Sequence, residues 1–223
     1  MSDVPAALFD LDDCLIDTAS AINTYARWFA ETYDVPVEEV TAADQRHAGR
    51  RDTFFADLKK RFGITAPVTR LYAEYRQNLP KLTPLHPEAC RMVRGLVDAG
   101  WRLAVLSNGS PDVQRAKLRH AGLHRYVPAH HVVISGEWGP RKPDTALFDV
   151  ALDALGVSAA VMVGDSLRDD IAGGAAAGLR TIWVANGRQL HDGDPQPDHV
   201  VQSVTEAGDL LLTMTDLPLP VPA

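Results

Sequence analysis

From Pro87 onward the chain alternates short apolar runs with amphipathic stretches, and this alternation constrains the fold more than any other feature. The stretch 87–99 opens with proline, carries Met92, Val93 and Leu96 on one face and stops at Gly100, which predicts a helix with proline in its first turn. Arg102-Leu103-Ala104-Val105-Leu106 follows as a strand, then Ser107-Asn108-Gly109-Ser110 and a helix beginning near Pro111. Next come a short strand at Val132-Val133-Ile134 and a loop from Ser135 to Pro143. A helix from Asp144 to Leu155 then turns Leu147, Val150, Ala151 and Leu155 inward and is closed by Gly156. Strands at 161–163, 181–184 and 199–201 complete the set. Such alternation predicts βαβ units, right-handed crossovers and an α/β fold with a parallel sheet covered on both faces. In sheets of this kind ligands bind beyond the carboxyl ends of the strands, where the strand order reverses.

The first strand of the pattern, Ala7-Leu8-Phe9, runs straight into Asp10-Leu11-Asp12-Asp13, three carboxylates within four residues. With side chains repeating every second residue, Asp10 and Asp12 point the same way. Two like charges about 5 Å apart repel by about 3 kcal/mol at an effective dielectric near 20, so a cation, a shared proton or open water must compensate them. Three more polar clusters follow strands or strand–helix junctions: Ser107-Asn108, Lys142-Pro143, and Gly164-Asp165-Ser166 with Asp169-Asp170. Each has an ordinary explanation by itself, as a turn, a solvated loop lysine or a helix cap. Gathered at one sheet edge, they would bring carboxylates, an ammonium and hydrogen-bond donors around one point, a site for a divalent cation and a phosphoryl group.

The roles follow from what phosphoryl transfer needs: charge neutralisation, an in-line nucleophile and a proton for the leaving oxygen. Asp10 is the candidate nucleophile and Asp12 the acid and then the base. Mg²⁺, which takes a few protein oxygens and several waters, would be held by Asp10, Asp165 and a main-chain carbonyl at Asp12. Ser107 and Asn108, with main-chain amides after Gly109, offer donors to phosphate oxygens, and Lys142 a compact positive charge.

Between Thr18 and about Pro80 the texture is helical, with Tyr25, Trp28, Phe29 and Tyr33, then Phe54, Phe55, Leu58 and Phe62, then Leu71 and Tyr75 at helical spacing. The proline-punctuated Pro84-Leu85-His86-Pro87 reads as the return from an insertion. The expected organisation is a core of residues 1–17 and 83–216, a helical insertion of 18–82, and a proline-rich tail of 217–223 that cannot continue a helix or sheet. The basic residues Arg46, Arg50, Arg51, Lys59, Lys60 and Arg61 read as a solvated helix face.

At 223 residues and 46% apolar the chain can bury a proper core, and a net charge of −7 argues against nucleic acid or an anionic membrane as partner. A small phosphorylated metabolite fits better, bound by a monomer or homodimer. The first strand starts within a few residues of Met1, and no apolar run approaches the length of a membrane span, so the expected location is the cytoplasm. Cys14 and Cys90 then read as two free thiols.

The four clusters in this order resemble those of the haloacid dehalogenase-like hydrolase superfamily, in its subgroup with a helical cap inserted after the first strand. Phe9 to Leu15 resembles its first motif, Leu106 to Gly109 its second, Arg141-Lys142-Pro143-Asp144 its third and Val163 to Ile171 its fourth. The resemblance spans about residues 6–212 and implies a Rossmann-like core and a Mg²⁺-dependent phosphatase working through an aspartyl-phosphate. In it Asp10 is the nucleophile, Asp12 the acid/base, Asp165 a metal ligand, and Asp170, or Asp169 one residue earlier, a carboxylate behind the metal ligands. Cys14 stands where the family usually has threonine. Asp13 receives no catalytic part and is expected to face away. The rivals are a 2-haloacid dehalogenase, which displaces halide without a metal and would need neither Asp12 nor Asp165, and a non-catalytic phospholigand-binding protein on the same fold.

Overall fold

The computed structural model describes residues 4–47 and 50–214. The proline-rich stretch 217–223 lies outside them. The chain divides into two compact units, Met1–Asp17 with Leu85–Ala223, and Thr18–Pro84. Among the described residues no helix is long and apolar enough to cross a membrane.

The first unit is built on a six-stranded parallel sheet in the order β3-β2-β1-β4-β5-β6, with β1 Ala6–Phe9, β2 Arg102–Ser107, β3 Val132–Ile134, β4 Val161–Gly164, β5 Arg180–Val184 and β6 His199–Val201. Every neighbouring pair is parallel, with Phe9 opposite Val105 on one side and Val163 on the other. Successive residues of β1 serve opposite faces. Ala7 and Phe9 join Val105, Val163, Val184 and the helices α5 (Pro87–Asp98), α6 (Pro111–His120) and α10 (Val204–Thr213) in one core. Ala6 and Leu8 join Leu106, Met162 and α8 (Thr145–Leu155) in the other. Both faces being covered, the strands read as continuous apolar runs. Phe148 and Leu152 of α8 are buried with Leu147, Ala151 and Leu155, whereas Val150 lies at the edge of that core.

The sheet order reverses at β1, whose two neighbours are reached by connections on opposite sides, and the carboxyl ends of β1 and β4 therefore frame a ready crevice. The loop from Ser135 to Pro143 contains one turn of helix, α7 (Ser135–Trp138). After β4 a π-helical turn, Leu167–Ala172, leads into α9 (Gly173–Ala176).

The second unit is four helices, α1 (Thr18–Tyr33), α2 (Val37–His47), α3 (Arg51–Phe62) and α4 (Val68–Leu82). Its core is aromatic: Tyr25 meets Tyr75 edge-on at 5.1 Å, and Phe29 and Phe55 fill the centre. The basic residues of this unit are not all a solvated face. Arg51 is paired with Asp44, stacks 4.8 Å over the Tyr75 ring, and leaves 14% of its side chain exposed. Lys59 bonds the carbonyls of Ile64 and Ala66 beyond the end of α3, at 2.6 and 3.0 Å. The charged head of Lys59 thus ties down the loop that follows the helix, a role that spacing alone does not reveal.

Candidate active site

Strand β1 stops at Phe9, so the two-residue period that would set Asp10 and Asp12 on one side does not extend to Asp12. The amide of Asp10 still bonds the Val163 carbonyl at 2.9 Å, but the chain then turns, and Asp12 makes an isolated bridge with Ile16. The turn lets the two aspartates take different partners, where a continued strand would have set them side by side.

Asp10 is buried and meets the Lys142 ammonium at 2.7 Å. The same ammonium bonds Asp170 at 2.7 Å and the Leu106 carbonyl at 2.8 Å, so its three hydrogens find three acceptors. Burial opposes the charge on Lys142, yet Asp10 and Asp170 outweigh it and hold the ammonium above its ordinary range. Asp10 is pushed well up by burial, with Lys142 pulling the other way and Asp170 and Asp12 adding to the rise.

Asp170 is fully buried. Its second oxygen accepts from the Ser166 amide at 3.0 Å. Asp169 instead accepts from the Asn108 amide at 3.2 Å. Both adjacent aspartates can turn inward because this turn is π-helical: the Ser166 carbonyl accepts from Asp170 and also from Ile171, five residues on. Gly164 is required here, since a Cβ on it would lie 2.3 Å from the Asp170 carboxyl carbon.

Asp165 follows β4. Burial and Asp170 raise its carboxyl from 3.8 to about 6, against the pull of Arg188. Arg188 donates to its Oδ2 at 3.0 Å and to its carbonyl at 2.8 Å, and the buried Trp183 indole donates to the same carbonyl at 2.9 Å. Asp165 also lines a cleft of about 490 Å³ with Ser166, Trp183, Arg188 and His191.

Oxygens of Asp10, Asp165 and Asp170 lie within 4.8 Å of one another. An all-oxygen, all-carboxylate set with two of its members pushed up by burial fits a hard divalent cation, which would relieve the crowding. The sequence expectation named Asp10, Asp12 and Asp165 for the metal. In the structure an Asp170 oxygen lies with those of Asp10 and Asp165, and the Asp12 carboxylate, whose expected part in the metal site was its main-chain carbonyl alone, meets Lys117 and Gln114, each at 2.6 Å.

Ser107 is buried at the end of β2 and accepts from Gln114 at 2.7 Å. The Asn108 side chain, expected to face phosphate, is engaged with the backbone of Lys142. Its oxygen accepts from the Lys142 amide at 2.9 Å and its nitrogen donates to the Lys142 carbonyl at 3.1 Å, so it anchors the lysine's backbone. The Gly109 amide is taken by Ser135 at 3.0 Å. Cys14 is a buried free thiol, raised well above its usual range by burial and by Asp10, and bonds the Val163 carbonyl only weakly, at 3.7 Å. Asp13 is not remote: its charge adds to the rise at Asp165, and its carbonyl accepts from Asn186 at 2.7 Å.

Four participants escaped the sequence reading: Gln114, Lys117, Ser135 and Arg188. For Gln114 and Lys117 a signal existed, because they share the buried side of α6 with Val113 and Leu118. Arg188 stands in an irregular segment and Ser135 opens the four-residue α7, which is too short to carry a period.

A family model described as haloacid dehalogenase-like hydrolase matches residues 4–178. A phosphoserine phosphatase of Thermus thermophilus is 44% identical over 161 residues, covering 70% of this chain and 63% of that protein. The chain thus spans under two thirds of that relative's length. An N-acylneuraminate-9-phosphatase of Homo sapiens is 31% identical and is covered over 95% of both chains. In solved structures, the HAD-hydrolase YfnB of Bacillus subtilis superposes with a TM-score of 0.78 at 23% identity, covering 93% of this chain and 98% of that one. With the sheet order, the four strand-end clusters and the family match all in agreement, the chain belongs to the haloacid dehalogenase-like hydrolase family.

Proposed function

We propose that the protein is a Mg²⁺-dependent phosphatase that hydrolyses a small phosphomonoester through an aspartyl-phosphate on Asp10. The observation that carries this reading is a buried carboxylate, Asp10, set at the switch point of the sheet between a fixed ammonium and two further carboxylates. The named relatives, by their names, act on phosphomonoesters of small metabolites.

In the first step an Asp10 oxygen attacks phosphorus, and the bond from phosphorus to the leaving oxygen breaks with its electron pair. That oxygen takes a proton from Asp12. In the second step a water oxygen attacks the same phosphorus, gives a proton to Asp12, and the bond to Asp10 breaks. Ester and water have become alcohol and phosphate, and both aspartates are restored. Bound Mg²⁺, held by Asp10 and Asp165 with Asp170 beside them, would supply charge neutralisation at the phosphoryl oxygens. Lys142 adds a fixed positive charge there, and Ser107 offers its hydroxyl. Asn108 keeps Lys142 in position, with Asp169 as its counterpart on the other side.

A dehalogenase has no use for a metal-binding carboxylate trio, which favours the phosphatase. The expected outcome is hydrolysis of p-nitrophenyl phosphate that requires Mg²⁺ and disappears in Asp10→Asn. Chloride release from 2-chloropropionate without metal, and with no phosphatase activity, would overturn the reading. A panel of phosphomonoesters that includes phosphoserine and N-acylneuraminate 9-phosphate identifies the substrate. Substrate preference is assigned to the helical unit, since the residues given chemical roles all belong to the sheet unit; exchanging residues 18–84 for those of a relative should change the preferred substrate and leave the Mg²⁺ requirement.

A further inference from the structure

Each aspartate of the Asp10-Leu11-Asp12 pair has a lysine of its own. Lys142 serves Asp10. Asp12 meets Lys117, whose ammonium lies 2.6 Å from Oδ1 on a side chain only 4% exposed. A lysine on a helix ordinarily runs its stem outward and keeps its charge in water. On α6 it runs inward instead, an arrangement that costs desolvation unless a carboxylate receives it. Gln114, three residues earlier on the same buried face, sends its Nε2 to Asp12 Oδ2 at 2.6 Å and to Ser107 Oγ at 2.7 Å. An amide nitrogen carries two hydrogens, so these two acceptors use both. The Asp12 carboxylate is thereby fixed at both oxygens. Ser107 is fixed as an acceptor toward Gln114, and its own hydrogen reaches the Asn108 carbonyl only at 3.5 Å, a length at which little is lost by turning to a phosphate oxygen.

We infer that Lys117 and Gln114 form a clamp that orients Asp12 for proton transfer, and that Gln114 couples this orientation to the phosphate-facing hydroxyl of Ser107. The inference rests on the phosphatase reading. Both are positioning residues, acting through Asp12 and Ser107 and not on the substrate. Because Lys117 holds only the proton-transfer group while Gln114 holds that group and the serine, their replacement has different kinetic signatures.

The test uses the full chain with Mg²⁺, p-nitrophenyl phosphate as substrate and inorganic phosphate as inhibitor. Lys117→Met should lower kcat by about tenfold or more and leave KM and phosphate inhibition within about twofold. Lys117→Arg, which keeps the cation, should retain more activity. Gln114→Leu should lower kcat as well and weaken phosphate inhibition several-fold. In an Asp12→Asn background Lys117→Met should slow turnover no further than about twofold, because the residue it acts through is already disabled. Equal fold-losses in both backgrounds, or a folded Lys117→Met enzyme as fast as the unsubstituted one, would overturn the clamp. If Lys117→Met does not fold, Lys117→Gln carries the same cycle. A starting protein inert toward phosphomonoesters refutes the phosphatase reading and the clamp with it; an active one with additive losses refutes the clamp alone.

Discussion

Lys142 carries more of the site than any other side chain. Its side chain is 2% exposed, and its ammonium is the common partner of Asp10 and Asp170. Removing one member of a buried ion pair leaves an uncompensated charge, typically at a cost of about 3–5 kcal/mol. Lys142→Met should therefore lose stability of that order as well as activity, measured by urea unfolding in the absence of metal. A loss under about 1 kcal/mol would mean that water or a proton already compensates the two aspartates. In the sequence Lys142 stands out only by its place among four ordered clusters, and the bonds of the Asn108 side chain to the lysine's backbone become visible only in the distances. Cys14 stands where the resembling family usually has threonine; its thiol makes only a weak bond to the Val163 carbonyl and packs in the core with Leu15 and Val163.

At the scale of elements, the junction between β4 and the π-helical turn is the tightest point. Asp170 sits directly over Gly164 and cannot retreat, being bonded to both Lys142 and the Ser166 amide. Gly164→Ala should cost about 1–3 kcal/mol through overpacking and weaken Mg²⁺ binding, which calorimetric titration of the metal would report. Unchanged metal affinity would show that Asp170 can shift without disturbing Asp10 and Asp165. The strands and most helices were legible because two covered sheet faces demand apolar runs and amphipathic helices demand a 3.6-residue period. The turn beyond Asp10 was not: the Leu15 and Ile16 amides both bond the Leu11 carbonyl at 3.1 Å, and this local closure takes the chain out of the ladder before Asp12.

For the molecule as a whole, the carboxylate cluster makes stability depend on pH, and the proposed metal would change that dependence. Asp165 has its carboxyl raised from 3.8 to about 6 by burial and Asp170. Below pH 3.8 both folded and unfolded chains hold this proton. Between 3.8 and about 6 the folded protein keeps it while the unfolded chain has lost it, so folding takes up a proton and acid favours the fold. Above about 6 the cost is fully expressed, at most about 3 kcal/mol for a shift of this size. Mg²⁺ bound as proposed would offset that cost only where the carboxylate is ionised. The gain in unfolding temperature on adding Mg²⁺ should accordingly widen from pH 5 to pH 7. A gain that is the same at both values would remove Asp165 from the metal's ligands.

The sequence by itself determined the parallel sheet, and it placed Asp10, Ser107, Lys142 and Asp165 at or beyond strand ends, which in a parallel sheet lie on the same side. It also named Asp169 and Asp170 together without ranking them. Only the tertiary structure ranked them, through a π-helical turn that sends Asp170 to Lys142 and Asp169 to Asn108. Only the tertiary structure gave Asp12 its partners, because Gln114 and Lys117 lie about a hundred positions along the chain and are brought to it by the packing of α6. Local pattern records which face of an element is buried. Which polar groups meet across that burial is settled by the packing of elements that are distant in sequence.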